Sequence, residues 1–206
     1  WLNEREELQS IFEKIMLEGH FVGGESIEKF EKNVSKFCGS KYCIAMNSGT
    51  DALVASMYSL GIGKNDEVLT PPNSFVASTS SIVHLGAKPV FIEVSVDQNI
   101  DINKIENYIT KNTKAIMPVH LTGRMANMEA INEIAEKHNL FVIEDAAQSI
   151  GSKYKGKPSG SFGDVGCFSA HPLKNLNACG DAGFIVTNNV EITKIIKSIR
   201  NHGLVD

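Results

Sequence analysis

The sequence has 206 residues, of which 42% are hydrophobic and 21% are charged, and its formal net charge is −4 at pH 7. This length is enough for one good hydrophobic core, and the scattered Lys and Arg residues argue against nucleic acid as a partner. No apolar run approaches the ~20 residues of a membrane span and no signal peptide opens the chain, so we expect no membrane partner.

The four cysteines have neither a C-x-x-C spacing nor neighbouring histidines suited to zinc. They are Cys38, Cys43, Cys167 and Cys179. We expect them to be reduced and mostly buried, as small apolar side chains are. This pattern predicts no metal site and is typical of a cytoplasmic protein.

Two amphipathic helices are predicted at the start of the chain, because apolar residues return every three or four positions in 2–20 and 23–39. Seven short apolar runs follow. They are YCIAM (42–46), EVLTP (67–71), PVFIEV (89–94), KAIMPVH (114–120), LFVIED (140–145), VGCFSA (165–170) and GFIVT (183–187). The helices predicted between these runs are 50–60, 74–84, 101–110 and 127–138.

Most of the seven runs are rich in β-branched residues and are continuously apolar rather than alternating. Strands of this kind are buried on both faces, as in a largely parallel sheet. The repeated order of strand and helix therefore predicts an α/β fold, a three-layer α/β/α sandwich with a mostly parallel sheet. Ligands of such sheets bind at the carboxyl ends of the strands, so the residues that follow each run are the first candidates for a functional site.

The turn NSGT after the first predicted strand can bind an anion. Asn47 or Ser48 can cap the helix that begins near Thr50, and Asp51 suits the first turn of that helix. Gly49 lets a ligand approach the backbone, and the free N–H groups of a helix N-terminus bind phosphate. An ordinary helix cap explains the same residues, so both interpretations stay open.

Two other predicted strand ends hold further candidates. Phe75 falls at the start of a helix, where its ring can either cover a flat ligand or fill the core. Asp145 ends a very apolar strand, next to Glu144, and a buried Asp needs a partner. That partner is a cation, a metal, a protonated ring nitrogen or a structural Arg. Gln148 lies about one helical turn after Asp145.

Lys174 lies in the loop after VGCFSA. Near an apolar floor and other cations its amine would be neutral and would attack carbonyl groups, whereas in solvent it is an ordinary surface lysine. His120 and His171 are either ligands or structural histidines. Arg124 either meets an anion or forms a surface ion pair.

These features together fit one cofactor. Pyridoxal 5′-phosphate needs a phosphate site, an aromatic side chain over its ring, an acid beside its pyridine nitrogen and a lysine that reacts with its carbonyl. The strand ends supply a candidate for each of these four requirements, so we predict that the chain binds this cofactor.

Several motifs in a fixed order extend this interpretation over nearly the whole chain. They are FVGGESIEKFE, NSGTDAL, GIGKNDEVLTPPNSFVAS, GAKPVFIEV, PVHLTGRMANM, VIEDAAQSIGSKYKG, GSFGDVGCFSAHPLKNL and IRNHG. In these motifs the chain resembles the DegT/DnrJ/EryC1/StrS aminotransferases, which act on nucleotide-linked keto sugars with the type I pyridoxal-phosphate fold. The resemblance implies that the chain is the large domain of such a transferase.

The resemblance also implies roles for individual residues. Lys174 would form the Schiff base with the cofactor and then move the proton between cofactor and substrate carbons. Asp145 would pair with the pyridinium nitrogen, Gln148 would lie near the phenolic oxygen, and Phe75 would stack on the ring.

Gly49, Thr50 and Ser169 would bind the phosphate, again as the resemblance implies. The residues alone do not select Lys174 among the lysines, and they leave His171, Asn175 and Cys179 without a role.

The activity implied by the resemblance is transfer of an amino group from an amino acid, expected to be glutamate, to a keto group of a nucleotide sugar. A homodimer with shared active sites and a role in polysaccharide biosynthesis are implied as well. Lys at position 174 favours this activity over that of the related sugar dehydratases, which have His there. A sugar dehydratase and a non-catalytic DegT-like sensor or binding protein remain alternatives.

Two units are predicted along the chain, an N-terminal helical segment (1–22) and a cofactor-binding large domain (23–206). The chain has no initiator Met, and its last residues, NHGLVD, are typical of the interior of a protein. Members of the family are about twice as long and continue into a smaller C-terminal domain. We therefore expect a fragment of a longer protein, without the small domain.

Overall fold

The fold is described from a computed structural model, which describes residues 3–19 and 21–204. The two predicted units, with the first predicted helix, also include five residues that lie outside the described ranges. These are Trp1, Leu2, His20, Val205 and Asp206.

Seven α-helices are found in the described part of the chain. They are α1 (Arg5–Glu18), α2 (Glu25–Phe37), α3 (Gly49–Ser59), α4 (Val76–His84), α5 (Ile102–Ile105), α6 (Met128–His138) and α7 (Val190–Arg200). Short 3-10 turns occupy Glu106–Tyr108 and Leu121–Gly123. All six of the predicted helices are present, but the one expected over 101–110 is a single α-helical turn that continues as a 3-10 turn.

Nine strands are found in the same part of the chain. They are β1 (Tyr42–Met46), β2 (Glu67–Thr70), β3 (Lys88–Phe91), β4 (Thr113–Ile116), β5 (Phe141–Asp145), β6 (Lys153–Tyr154), β7 (Lys157–Pro158), β8 (Val165–Ser169) and β9 (Gly183–Thr187). Seven form one sheet in the order β1-β9-β8-β5-β4-β2-β3. Within this sheet β9 runs antiparallel to both of its neighbours, and the other pairs are parallel.

Helices cover both faces of the sheet. Adjacent residues of a strand point to opposite sides, so neighbours in one strand pack against different helices. In β4, Ala115 packs into a cluster with α3, α4 and α7, whereas Ile116 packs into a second cluster with α5 and α6. In β9, Ile185 joins the first cluster, while Phe184 joins a third one, with α2. The predicted three-layer α/β/α sandwich with a mostly parallel sheet is therefore confirmed.

The hairpin of β6 and β7 was not predicted from the sequence. Its two-residue turn consists of Lys155 and Gly156, which both have positive φ angles, 47° and 83°. Such a turn matches the twist of a hairpin, but it favours Asn or Asp at the first position. Lys at that position, and strands of only two residues, left no clear signal in the sequence.

Helix α1 has no buried residue, although it contains several large apolar side chains. Phe12 and Met16 expose 65% and 54% of their surface, and Leu17 exposes 89%. In contrast, α2 packs against the sheet through Phe30 and Val34. The division of the chain at residue 22 stays a prediction.

Candidate functional site

One edge of the sheet collects the polar residues that were singled out in the sequence. Strands β1 and β8 are both antiparallel to β9, so they run parallel to each other, and β8 is parallel to β5. The carboxyl ends of β1, β2, β5 and β8 therefore meet at the same edge. Each of the predicted site residues follows or ends one of these four strands. They are Gly49, Thr50, Phe75, Asp145, Gln148, Ser169 and Lys174.

The N-terminus of α3 lies directly against the ends of β8 and β9. Ser48 caps the helix, because its Oγ accepts a hydrogen bond from the N–H of Asp51 at 3.0 Å. A Cβ atom on Gly49 would lie 2.8 Å from Cβ of Ser169, and a Cβ atom on Gly183 would lie 2.4 Å from the carbonyl carbon of Ser48. Glycine is thus required at both positions for this approach.

The same contact brings the hydroxyl of Ser169 next to the first turn of α3. The first N–H groups of a helix have no partner within the helix and attract anions. Thr50, in this first turn, is half-buried. The geometry therefore fits an anion site, and the capping interpretation holds as well, since Ser48 is the cap.

Asp145 is a buried carboxyl at the end of β5, with 5% of its surface exposed. Its Oδ2 accepts a hydrogen bond from Oγ of Ser78 at 2.6 Å, and its Oδ1 accepts one from the N–H of Ala147 at 3.2 Å. Burial raises the pKa of Asp145, and these two hydrogen bonds oppose the rise, as do the nearby Lys174 and His120 side chains. In the described part of the chain no Arg or Lys forms an ion pair with it.

Lys174 is half-buried in the loop between β8 and β9. The backbone fixes this loop at two places: the N–H of Ala170 donates to the carbonyl of Ala182 at 2.7 Å, and the N–H of Lys174 donates to the carbonyl of His171 at 2.8 Å. The Lys174 side chain is near enough to Asp145 to lower the pKa of that carboxyl, against the larger effect of burial, which raises it. Lys174 is thus neither fully exposed, as an ordinary surface lysine would be, nor fully buried.

Gln148 and Phe75 lie at the same edge but differ in how firmly they are held. The Oε1 atom of Gln148 accepts a hydrogen bond from the N–H of Thr122 at 2.8 Å, which fixes its side chain. Phe75 precedes α4 and exposes 69% of its surface. A core role for Phe75 is wrong, because its ring is mostly accessible.

His120 and Glu144 form a fully buried pair behind the edge. Nδ1 of His120 accepts the N–H of Ala126 at 3.3 Å, so the ring proton lies on Nε2, which donates to Oε2 of Glu144 at 3.0 Å. His120 is therefore a structural residue. Its backbone N–H also donates to the carbonyl of Asp145 at 3.0 Å, which ties the loop after β4 to the end of β5.

Glu144 organises the loop that leads into β8. Besides the His120 ring, it accepts hydrogen bonds from the backbone N–H groups of Gly160, Phe162 and Gly163 at 2.7–2.8 Å. Four donors on one carboxylate compensate for its complete burial. Glu144 thus supports the strand end on which Asp145 lies.

Replacing Glu144 with Gln is expected to destabilise the protein by about 3 kcal/mol, because an amide NH2 would face donors in place of an oxygen. This corresponds to a drop in Tm of roughly 6–12 °C for a domain of this size. Thermal unfolding followed by circular dichroism measures the effect. Glu129→Gln is the matched control: its ion pair with Lys155 is exposed, so little or no change in Tm is expected. Equal Tm values for the two variants would contradict the role of Glu144.

Of the remaining candidates, His171 contacts this cluster through its backbone, whose N–H donates to Oγ of Ser169 at 3.3 Å. A guanidinium N–H of Arg124 donates to the backbone carbonyl of Asp97 at 3.3 Å. His171 is exposed and lies 4.0 Å from Asp181. Cys38, Cys43 and Cys167 are buried and free, as expected, and Cys179 is free and exposed.

Three residues that were missed in the sequence contribute to the site geometry. Gly183 allows the contact between β9 and α3, and Ser78 and Ser74 form a hydrogen-bonded chain that ends on Asp145. Ser74 and Ser78 are four residues apart, which brings two side chains together at the start of a helix. Their partner is 67 residues further along the chain, and no local pattern indicates it.

The described residues include no group of three His, Cys, Asp or Glu side chains that could hold a metal ion. Within the same ranges, no helix is both long enough and apolar enough to cross a membrane. The mostly parallel sheet with one reversed strand, and the polar groups at its carboxyl edge, define an α/β domain whose candidate ligand site is this edge.

The family is shown by comparison with known proteins. The model of the DegT/DnrJ/EryC1/StrS aminotransferase family matches residues 3–206, and the chain belongs to this family. It is 44% identical over 200 residues to the dTDP-3-amino-3,6-dideoxy-alpha-D-galactopyranose transaminase of Aneurinibacillus thermoaerophilus, covering 97% of this chain and 55% of that protein. It is 42% identical over 198 residues to the pleiotropic regulatory protein of Geobacillus stearothermophilus, covering 96% of this chain and 53% of that protein.

Solved structures agree with this assignment. DesV of S. venezuelae, solved in complex with a ketimine intermediate, superimposes with a TM-score of 0.97 at 36% identity, covering 100% of this chain and 56% of that one. NtdA of Bacillus subtilis, solved with bound cofactor PMP, gives a TM-score of 0.90 at 38% identity, covering 95% and 44%. The type I fold is therefore confirmed. The chain spans about half the length of the curated relatives it matches.

Proposed function

We propose that the chain is the cofactor-binding large domain of a pyridoxal-phosphate-dependent nucleotide-sugar aminotransferase. The observation that supports this proposal most directly is the buried Asp145 carboxyl, which shares an edge of the sheet with Lys174 but has no ion-pair partner among the described residues. A cationic ligand would stabilise the charged form of a buried acid that has no ion-pair partner. The names of the relatives and of the solved structures support the same class of activity.

The residues at this edge fit the cofactor. Asp145 offers a carboxylate to a protonated ring nitrogen, and the half-buried Lys174 offers an amine to a carbonyl. Gly49, Thr50 and Ser169 surround a helix N-terminus of the kind that binds phosphate. Phe75 has an accessible ring for stacking, and it belongs to the proposed site on this ground.

In the proposed mechanism each side chain has one task. The bound cofactor supplies an electron sink for the electrons released at the carbon that bears the amino group. Asp145 holds a proton on the ring nitrogen, which this sink requires. Lys174 would hold the cofactor through its Nζ and would move a proton at the substrate carbon. Gln148 is positioned by Thr122 and orients the ring.

The proposed reaction takes an amino group from an amino acid, with glutamate as the proposed donor, and adds it to a keto group of a nucleotide-linked sugar. A homodimer with shared active sites and a role in polysaccharide biosynthesis belong to this proposal. A cytoplasmic location is proposed from the four free cysteines.

The test is transfer of nitrogen from glutamate. The full-length protein, loaded with pyridoxal phosphate, is incubated with 15N-labelled glutamate and with 3-keto and 4-keto nucleotide sugars, and products are analysed by mass spectrometry. An amino sugar that contains 15N is expected. A new sugar without nitrogen would contradict amino transfer and favour a dehydratase.

A second candidate function is regulation without turnover, because one relative at 42% identity is named a pleiotropic regulatory protein. In that case the protein would bind the cofactor without converting any sugar. The same labelling experiment separates the two functions, provided that binding of pyridoxal phosphate is measured alongside it.

A further inference from the structure

The start of α4 presents a chain of hydroxyl groups to Asp145. Oγ of Ser74 and Oγ of Ser78 are 2.6 Å apart, and Oγ of Ser78 is 2.6 Å from Oδ2 of Asp145. Ser78 exposes 1% of its surface, Asp145 exposes 5%, and Ser74 is half-buried. In the ranges that the structure describes, Ser78 is the one side chain hydrogen-bonded to this carboxyl.

The direction of the chain follows from the number of protons available. An ionised Asp145 can only accept, so the single hydroxyl proton of Ser78 is donated to Oδ2. The hydrogen bond between the serines must then use the proton of Ser74. Hydroxyl groups that donate in series polarise one another, which strengthens the last bond of the chain. The carboxylate is therefore stabilised in its charged form, and its orientation is fixed by Ser78 on one oxygen and by the N–H of Ala147 on the other.

The other groups around Asp145 do not replace this hydrogen bond. Lys174, from the loop after β8, acts on Asp145 through space, and the His120 ring makes its hydrogen bonds to Glu144 and Ala126 instead. Cys167, on the neighbouring strand, is a neutral thiol because burial raises its pKa. Glu144 precedes Asp145 in β5 and points to the opposite face of the sheet, where it accepts other donors.

We propose that Ser78, supported by Ser74, is a positioning residue that keeps Asp145 ionised and aligned with the ring nitrogen of the cofactor. This inference rests on the proposed function. The start of α4 would then have two tasks. Phe75 would stack on the ring, and Ser74 and Ser78 would hold the carboxylate that keeps the ring nitrogen protonated.

The experiment compares Ser78→Ala with Ser78→Thr and Ser81→Ala in the full-length protein. Ser81 is a matched control: it is a fully buried serine on the same helix, and its hydroxyl donates to the backbone carbonyl of Ser78 at 3.0 Å. Each variant is loaded with pyridoxal phosphate labelled with 15N in the ring. The 15N chemical shift is recorded against pH, and the dissociation constant of the cofactor is measured by fluorescence.

In Ser78→Ala we expect the pH at which the ring-nitrogen signal changes to move to a lower value by about one unit or more. We also expect cofactor binding to weaken by about tenfold. Ser78→Thr keeps the hydroxyl and should restore both values, and Ser81→Ala should leave both unchanged. Ser74→Ala should produce a smaller shift in the same direction, and it provides the test if Ser78→Ala does not fold.

A titration in Ser78→Ala that equals that of Ser81→Ala would overturn the role of the serines while leaving the proposed function intact. The same holds for an unchanged titration in Ser74→Ala if Ser78→Ala does not fold. Failure of the unaltered protein to bind pyridoxal phosphate would instead overturn the proposed function, and this inference with it. The two failures are therefore distinguishable.

Discussion

Replacing Lys174 with Ala is expected to abolish the visible absorption band of lysine-bound pyridoxal phosphate and to lower amino transfer by at least about 10²–10⁴-fold. The reason is that one amine performs two tasks in the proposed site, covalent binding of the cofactor and movement of the proton. Phosphate binding should persist, because the N-terminus of α3 and Ser169 are unaffected. Absorption spectra with and without glutamate, and single-turnover kinetics, measure both effects.

Two controls separate chemistry from charge in this experiment. Lys174→Arg keeps the positive charge beside Asp145 but has a guanidinium that stays protonated, so it should be as inactive as Lys174→Ala. Lys111→Ala removes an exposed lysine in the turn before β4 and should behave like the unaltered protein. A visible band that survives in Lys174→Ala would show that another lysine is the reactive one.

Replacing Asp145 with Asn is expected to have opposite effects on activity and on stability. Amino transfer should fall by about 10²–10³-fold, the usual loss when one preorganised electrostatic partner is removed. The cofactor-free protein, however, should become more stable at neutral pH. The amide keeps both hydrogen bonds, accepting from Ala147 and donating to Ser78, and it removes a buried charge.

The pH dependence follows from the raised pKa of Asp145. Its ordinary value is 3.8, and burial raises it in the folded protein, so the folded state binds more protons than the unfolded state between these two values. Stability contributed by this group is therefore present below the unfolded value and lost as pH rises through the folded one. The Tm of Asp145→Asn should exceed that of the unaltered protein only slightly near pH 4 and by a few degrees near pH 8. A difference of ~1 kcal/mol corresponds to ~2–4 °C. A lower Tm for the Asn variant at pH 8 would contradict an uncompensated charge.

The fold was largely predictable because its strands are short, apolar and buried. YCIAM and GFIVT match β1 and β9 residue for residue, since turn-forming residues end the apolar run on both sides. The reversed direction of β9 was not predictable, because an apolar run gives no direction. The length of the loop between β8 and β9 is compatible with either orientation.

The candidate site was predictable where residues follow strand ends and not where contacts are long-range. Asp145 and the Gly49–Thr50 turn were found from position alone, whereas Ser169 and Lys174 needed the resemblance. Ser78 was missed because a serine in a helix carries no signal of a partner 67 residues away. Glu144 was noted only for its place beside Asp145, since backbone donors from residues 160–163 cannot be read from side-chain identity.

The contact of Gly183 with Ser48 bears on how the family can diversify. A side chain at position 183 would meet backbone atoms, which cannot turn aside, so substitution there displaces a helix end. The loop that begins and ends at the Ala170–Ala182 hydrogen bond is anchored at its base, whereas Leu173, Asn175 and Cys179 within it are exposed. Substitutions inside the loop can therefore be made without moving the start of α3, so in the proposed function they are expected to change the preferred sugar rather than phosphate binding.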